Sequence, residues 1–168
     1  VRDFVMSLIE TLLSILRVIL LSRFFLPKIE RHAKTDKLFI LGNGPSLNLF
    51  LSEHAQDIAS YPKLAVNYFA RTVEYTQLKP AYYLIISPEY FRKEQKKGWA
   101  ADREKTLEII SEKTDWSMVL MLPSAAKGHQ LVDKYFLNHN FISLYFINNT
   151  PIDGFKSFRE SAYQKNLG

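Results

Sequence analysis

The stretch "LFILGNGPSLN" (residues 38–48) carries the clearest chemical signal in this sequence. An apolar run leads into a turn almost without side-chain bulk. Gly42 and Gly44 let a guest approach the backbone, and Gly44 permits a positive φ. Pro45 suits the first position of a helix, where its missing N–H costs nothing. The free N–H groups of such a helix start, with Asn43 and Ser46, form an anion site whose usual guest is phosphate. Each charge-assisted hydrogen bond there contributes roughly 1.5–3 kcal/mol, and the helix terminus about 0.3–1 kcal/mol more. A plain strand-to-helix turn accounts for the same residues without any ligand.

Neither standard phosphate fingerprint is met. No Gly-Lys-Ser/Thr follows, and Leu47 stands where the third glycine of G-x-G-x-x-G belongs. Two more polar residues fall at the ends of apolar runs. Asn67 reads either as an end-of-strand turn residue or as an amide facing the same cleft as Asn43. Ser87, followed by Pro88, carries the same pair of readings. Metal chemistry has little support, since no Asp-x-Asp pair exists and His54, His129 and His139 lack ligand spacing. With no cysteine there is no thiolate site, no disulfide framework and no cysteine nucleophile. No Ser/His/Asp constellation can be assembled, so no catalytic residue is assigned, and neither a metal nor a cofactor is expected. Asn148-Asn149-Thr150 matches a glycosylation acceptor, a pattern common by chance.

These residues need a scaffold, and the chain alternates in a way that supplies one. Apolar runs at 38–42, 63–69, 81–87, 117–123 and 141–147 read as strands. Helical spacing falls between them, at 46–59, 70–78, a polar stretch after Pro88, 101–113 and 124–138. Strands alternating with helices predict an α/β fold with a doubly wound, mostly parallel, Rossmann-like sheet. Ligands of such sheets bind beyond the carboxyl ends of the strands, where the polar residues above lie. The predicted domain runs from 38 to 168. Val1 and Gly168 both look like cut ends, so the sheet is expected to be incomplete at its C-terminus and any catalytic base to lie beyond Gly168.

Ahead of this domain, residues 4–26 are almost wholly apolar, and Pro27 closes them. Asp3, Ser7, Glu10, Ser14, Arg17 and Ser22 form one narrow polar stripe along a helix. Glu10 and Arg17 would cost about 5–7 kcal/mol in a spanning helix, against roughly 4–8 kcal/mol returned by the apolar residues. Residues 1–27 are therefore read as an amphipathic helix at a membrane surface, its polar stripe facing water. A spanning helix and a buried packing or dimerisation helix are the alternatives. Residues 28–37, "KIERHAKTDK", read as a charged linker.

The 168 residues are 47% hydrophobic and 14% aromatic, which excludes global disorder. Of the net charge of +5, residues 1–37 hold +3, which points to an anionic surface near the N-terminal arm. No basic helix or Lys/Arg-dense run supports nucleic acid as a partner.

"FILGNGPSL", then "AVNYF", then "YYLIISPEYF" together resemble the opening of bacterial sialyltransferases of glycosyltransferase family 42. The resemblance covers residues 38–91. It implies transfer of a sugar from a CMP-linked donor without a metal, with Asn43, Gly44 and Ser46 at the phosphate and ribose and Asn67 at the nucleotide. The family usually has asparagine before the proline of the third motif, where this chain has Ser87. It further implies a nucleotide-sugar donor, a glycan acceptor and surface polysaccharide or lipooligosaccharide synthesis at the cytoplasmic face of the inner membrane, with a homo-oligomer possible. "GNGPSL" is also similar to the loop of archaeal-type 6-hydroxymethylpterin diphosphokinases, which would use ATP with a divalent ion. A non-catalytic, membrane-anchored nucleotide-binding module is the third reading.

Overall fold

The computed structural model describes residues 2–22, 35–42, 44–87, 90–91 and 99–165. Asn43, most of the 28–37 linker, the end of the apolar segment past Ser22 and most of the stretch after Pro88 lie outside the described residues. The chain divides into two compact units, Ile29–Tyr145 and a discontinuous one of Val1–Lys28 with Phe146–Gly168.

The larger unit is α/β, as the alternating pattern predicts. Its elements are β1 (Phe39–Leu41), α2 (Pro45–His54), β2 (Lys63–Val66), α3 (Glu74–Leu78), β3 (Tyr82–Leu84), α4 (Trp99–Lys113), β4 (Met118–Pro123) and α5 (Gln130–Phe136). With β5 (Ile142–Ile147), they form a parallel five-stranded sheet in the order β1-β2-β3-β4-β5. That order runs sequentially across the sheet without a reversal.

Burial follows the pleat. Leu41, Ala65, Tyr83 and Leu120 stand in register across β1–β4, and all are buried. The adjacent row runs Ile40, Leu64, Tyr82 and Val119, and its edge residue Ile40 is 68% exposed. The helices complete the buried side with Leu107 and Ile110 from α4 and Val132 and Phe136 from α5. Ser111 Oγ donates to the Tyr135 carbonyl at 2.9 Å and ties those two helices together.

Several boundaries differ from the sequence reading, among them β3, which is Tyr82–Leu84 within the run read over 81–87, and three have a clear local reason. The helix expected over 46–59 ends at His54 and gives way to turns. Buried Lys63 closes those turns, its Nζ donating to the carbonyls of Ala59 (3.0 Å) and Tyr61 (2.9 Å). Burial also pushes the Lys63 pKa down. The strand expected over 63–69 stops at Val66, because Asn67 turns into the left-handed region at φ 50°. The helix expected over 124–138 is a 3₁₀ turn at Ser124–Ala126 followed by α5, with Gly128 at φ 74° between them.

The smaller unit holds α1 (Arg2–Leu21) and α6 (Lys156–Gln164). α1 has the apolar character expected of it, and it is long and apolar enough to cross a membrane. Its polar stripe divides: Asp3, Glu10 and Arg17 are exposed as expected, Ser7 is half-buried, and Ser14 and Ser22 turn inward instead of facing water. Thr11, Ser14 and Ser22 are buried against the segment that precedes α6. Asp153 N–H donates to Ser14 Oγ (2.8 Å), Phe155 N–H to Thr11 Oγ1 (3.0 Å), and Ser22 Oγ to Thr150 Oγ1 (2.8 Å). Val18, Ile152, Ala162 and Phe158 form a small core beneath these bonds. These three hydroxyls satisfy backbone and side-chain groups of residues 150–155 in a buried seam. The apolar side chains point outward instead.

Candidate functional site

β1 delivers the chain to Gly42, and α2 begins three residues later at Pro45. Gly44 is the N-cap of α2 at φ −78° and ψ 153°, and no side chain caps the helix. The positive φ that glycine would have permitted at 44 is therefore not used. Extended backbone of this kind suits any residue. Glycine serves space here rather than conformation. A Cβ on Gly42 would meet nothing within 4 Å, and one on Gly44 would meet only Ser46 Oγ at 3.6 Å.

That space belongs to a cavity of about 510 Å³ lined by Phe39, Ile40, Leu41, Gly42, Gly44, Ser46, Leu47 and Phe50. Its walls are mainly apolar, with Ser46 contributing the hydroxyl. Pro45 at the first helical position brings no N–H, and the Leu47 N–H turns back to the Gly44 carbonyl at 3.0 Å. Ser46 contributes an N–H and a hydroxyl to the lining. The first turn of α2 carries no acid, so the helix field there is uncompensated. The combination places an uncapped helix start at the glycine end and an apolar wall along β1 and α2.

Asn67 stands at the end of the neighbouring strand. Its N–H donates to the Leu84 carbonyl (3.0 Å), and its own carbonyl accepts from Tyr83 Oη (2.6 Å). Tyr83 Oη in turn accepts from Ala70 N–H at 2.9 Å. One buried phenol therefore fixes the left-handed turn from below. Burial raises its pKa well above the ordinary tyrosine value, so it stays neutral. Asn67 Oδ1 is buried without a hydrogen-bond partner.

The structure brings Gly44 and Ser46 into one cavity and leaves Asn67 and Ser87 out of its lining. Register sets Gly42 one residue short of the level of Asn67, since Leu41 pairs with Ala65, and adjacent strands lie about 4.8 Å apart. Ser87 follows β3 and accepts the Tyr90 N–H at 3.1 Å. Its backbone shapes that turn. Among the described residues, no cluster of His, Asp or Glu could hold a metal ion.

An aromatic group beside Asn67 was missed from sequence. The rings of Tyr68 and Tyr90 lie 5.5 Å apart, and the Arg71 guanidinium sits 5.3 Å from the Tyr68 centroid. Asp102 holds Arg71 (2.8 Å), and Arg103 donates to the Tyr90 carbonyl (2.8 Å). The available signal was the density of aromatic residues just past two strand ends. In comparisons with known proteins, no family model, no curated protein and no solved structure matches this chain.

Proposed function

We propose that this chain forms the nucleotide-binding part of a glycosyltransferase that uses a nucleotide-activated sugar, with CMP-linked sialic acid as the model donor. The open, glycine-lined start of α2 at the carboxyl end of β1 carries this reading. An uncapped helix start free of acids favours a phosphate. The apolar wall formed by Phe39, Ile40 and Phe50 suits a ring face. The buried oxygen of Asn67 offers an acceptor for an amino or hydroxyl group one strand away.

The reaction would be displacement at the anomeric carbon by an acceptor hydroxyl. Donors at Ser46 would stabilise charge on the departing nucleotide phosphate, more strongly as it develops. The base that deprotonates the acceptor is not assigned. α1 would hold the enzyme at the cytoplasmic face of the inner membrane, close to a surface-glycan acceptor.

Isothermal calorimetry of the full chain with CMP, CDP and ATP, each with and without EDTA, tests the proposal. Binding of cytidine nucleotides in preference to ATP, unaffected by EDTA, is expected. Tight ATP binding that depends on magnesium would replace this reading with pyrophosphoryl transfer of the pterin diphosphokinase type. Absence of binding by all three nucleotides would overturn the nucleotide site.

A further inference from the structure

Thr11, Ser14 and Val18 mark the inner side of α1 and are buried within its own unit. At about 100° per residue, Val5, Ile9, Leu12, Leu13, Leu16 and Leu20 fall on the opposite side. Their exposures run from 45% at Val5 and Ile9 to 70% at Leu20. The charges Asp3, Glu10 and Arg17 share one flank between these sides, and Arg17 is paired with Asp153 at 3.3 Å. Roughly half the circumference is thus apolar and open along most of a helix about 30 Å long.

We propose that α1 and the 150–155 strap form an in-plane membrane-binding unit, whose open apolar half enters the acyl boundary of a lipid bilayer. The strap and α6 stay on the water side. This inference does not rest on the transferase reading.

The choice of lipid follows from what the strap has already done. Every buried hydroxyl on the inner side of α1 is engaged with residues 7 or 150–155. The face that remains offers neither donors nor acceptors. A specific protein interface carries about one hydrogen bond per 100–200 Å², whereas hydrocarbon asks for none. The orientation follows from the same contacts. The segment covering α1 carries Asp153, Lys156, Arg159 and Glu160, all exposed. Threading α1 through the bilayer would carry these charges into hydrocarbon, whereas lying flat leaves them in water. The flank with Glu10 and Arg17 then sits at the waterline.

The chain has no cysteine, so single labels are unambiguous. Nitroxides would be placed on the full chain through Val5→Cys, Ile9→Cys, Leu13→Cys, Leu16→Cys and Leu20→Cys, with Arg159→Cys as the reference. Power saturation with oxygen and a water-soluble nickel chelate would be read with and without phosphatidylcholine–phosphatidylglycerol vesicles. All five α1 labels should report a similar shallow depth, and the Arg159→Cys label should remain accessible to nickel. Depth that peaks near Leu13 and falls to either side would mean a spanning helix. Spin–spin broadening without any lipid signal would mean that a second copy covers the face. Either result overturns the proposal. Leu12→Glu with Leu16→Glu should reduce vesicle flotation at least tenfold at unchanged thermal stability, and unchanged flotation would overturn it equally. Neither readout involves a nucleotide, so loss of nucleotide binding leaves this inference standing.

Discussion

Gly154 lies so close to Thr11 that a Cβ at 154 would stand 2.6 Å from the Thr11 nitrogen and 2.7 Å from its Cα. The same glycine holds φ 102°, where other residues are strained. Both constraints fall on the strap that seals the polar stripe of α1. Gly154→Ala should therefore cost the smaller unit about 2–4 kcal/mol through overpacking and backbone strain. Hydrogen exchange would read this directly, as lost protection at Asp153 and Phe155 with β2–β4 unchanged. Gly128→Ala is the control, because Gly128 has φ 74° but nothing within 4 Å. It should cost only the left-handed strain of about 1–2 kcal/mol.

Tyr83→Phe removes the acceptor of the Ala70 N–H and the donor to the Asn67 carbonyl in one step. Leaving a buried N–H unpaired costs about 1–3 kcal/mol, so the urea midpoint should fall while the m-value holds. If the candidate site uses the left-handed turn at Asn67, nucleotide affinity should fall beyond what stability explains. A midpoint equal to that of the parent would mean that the phenol does not anchor this turn.

Gly44→Ala is well suited to testing the cavity. The added methyl meets only Ser46 Oγ, at an ordinary contact distance of 3.6 Å, and φ is already negative. Thermal stability should fall by no more than about 1 kcal/mol, the N-cap preference for glycine over alanine. Calorimetric affinity for a cytidine nucleotide should drop tenfold or more, because the methyl occupies the space a phosphate would use. Unchanged affinity would reduce the glycine loop to a turn.

His129 caps α5, its Nδ1 accepting the Leu131 N–H at 3.3 Å. Burial first, and then the charge of Arg103, lowers its pKa below the ordinary 6.5. The unfolded chain therefore takes up the proton first as pH falls. Stability from this residue is complete above about pH 6.5 and is lost as pH drops through the folded value. His129→Asn keeps a capping acceptor without a titration. Subtracting its stability profile from that of the parent between pH 7.5 and 5 should leave a slope of this sign. A flat difference would mean that the cap does not titrate.

Much of the sheet was legible because Gly, Pro and Asn punctuate its apolar runs. β1 to β5 fall inside the five runs read as strands. The end of β2 was misjudged because "AVNYF" keeps a strand-like composition past the turn. Yet asparagine tolerates the left-handed region better than most residues, so Asn67 carried that signal itself. Helical spacing grouped Asp3, Ser7, Glu10, Ser14, Arg17 and Ser22 as one stripe, which the structure divides into an exposed charged flank and an inner side with Ser14 and Ser22. It could not say what that side meets, because Asp153, Phe155 and Thr150 lie far along the chain. Water was the default partner assigned to the whole stripe; it holds for Asp3, Glu10 and Arg17, whereas a polypeptide strap takes its place at Ser14 and Ser22. At the candidate site, sequence placed Gly44 and Ser46 beside a helix start but misjudged why glycine is there. The wall of Phe39, Ile40 and Phe50 went unread because apolar residues in a strand and a helix ordinarily signal core.

The strap also sets a timetable for the nascent chain. Each strand pairs with the one synthesised just before it, so the sheet can grow stepwise as the polypeptide leaves the ribosome. α1 has no such neighbour in time. Phe155 meets Thr11 across a separation of 144 residues, and Asp153 meets Ser14 across 139. Closing so long a loop is slow relative to forming local pairs. Through that interval the most apolar helix of the chain waits with its serines and threonine unsealed. The strap, made after all the strands, is then a late latch on a helix made first among these elements.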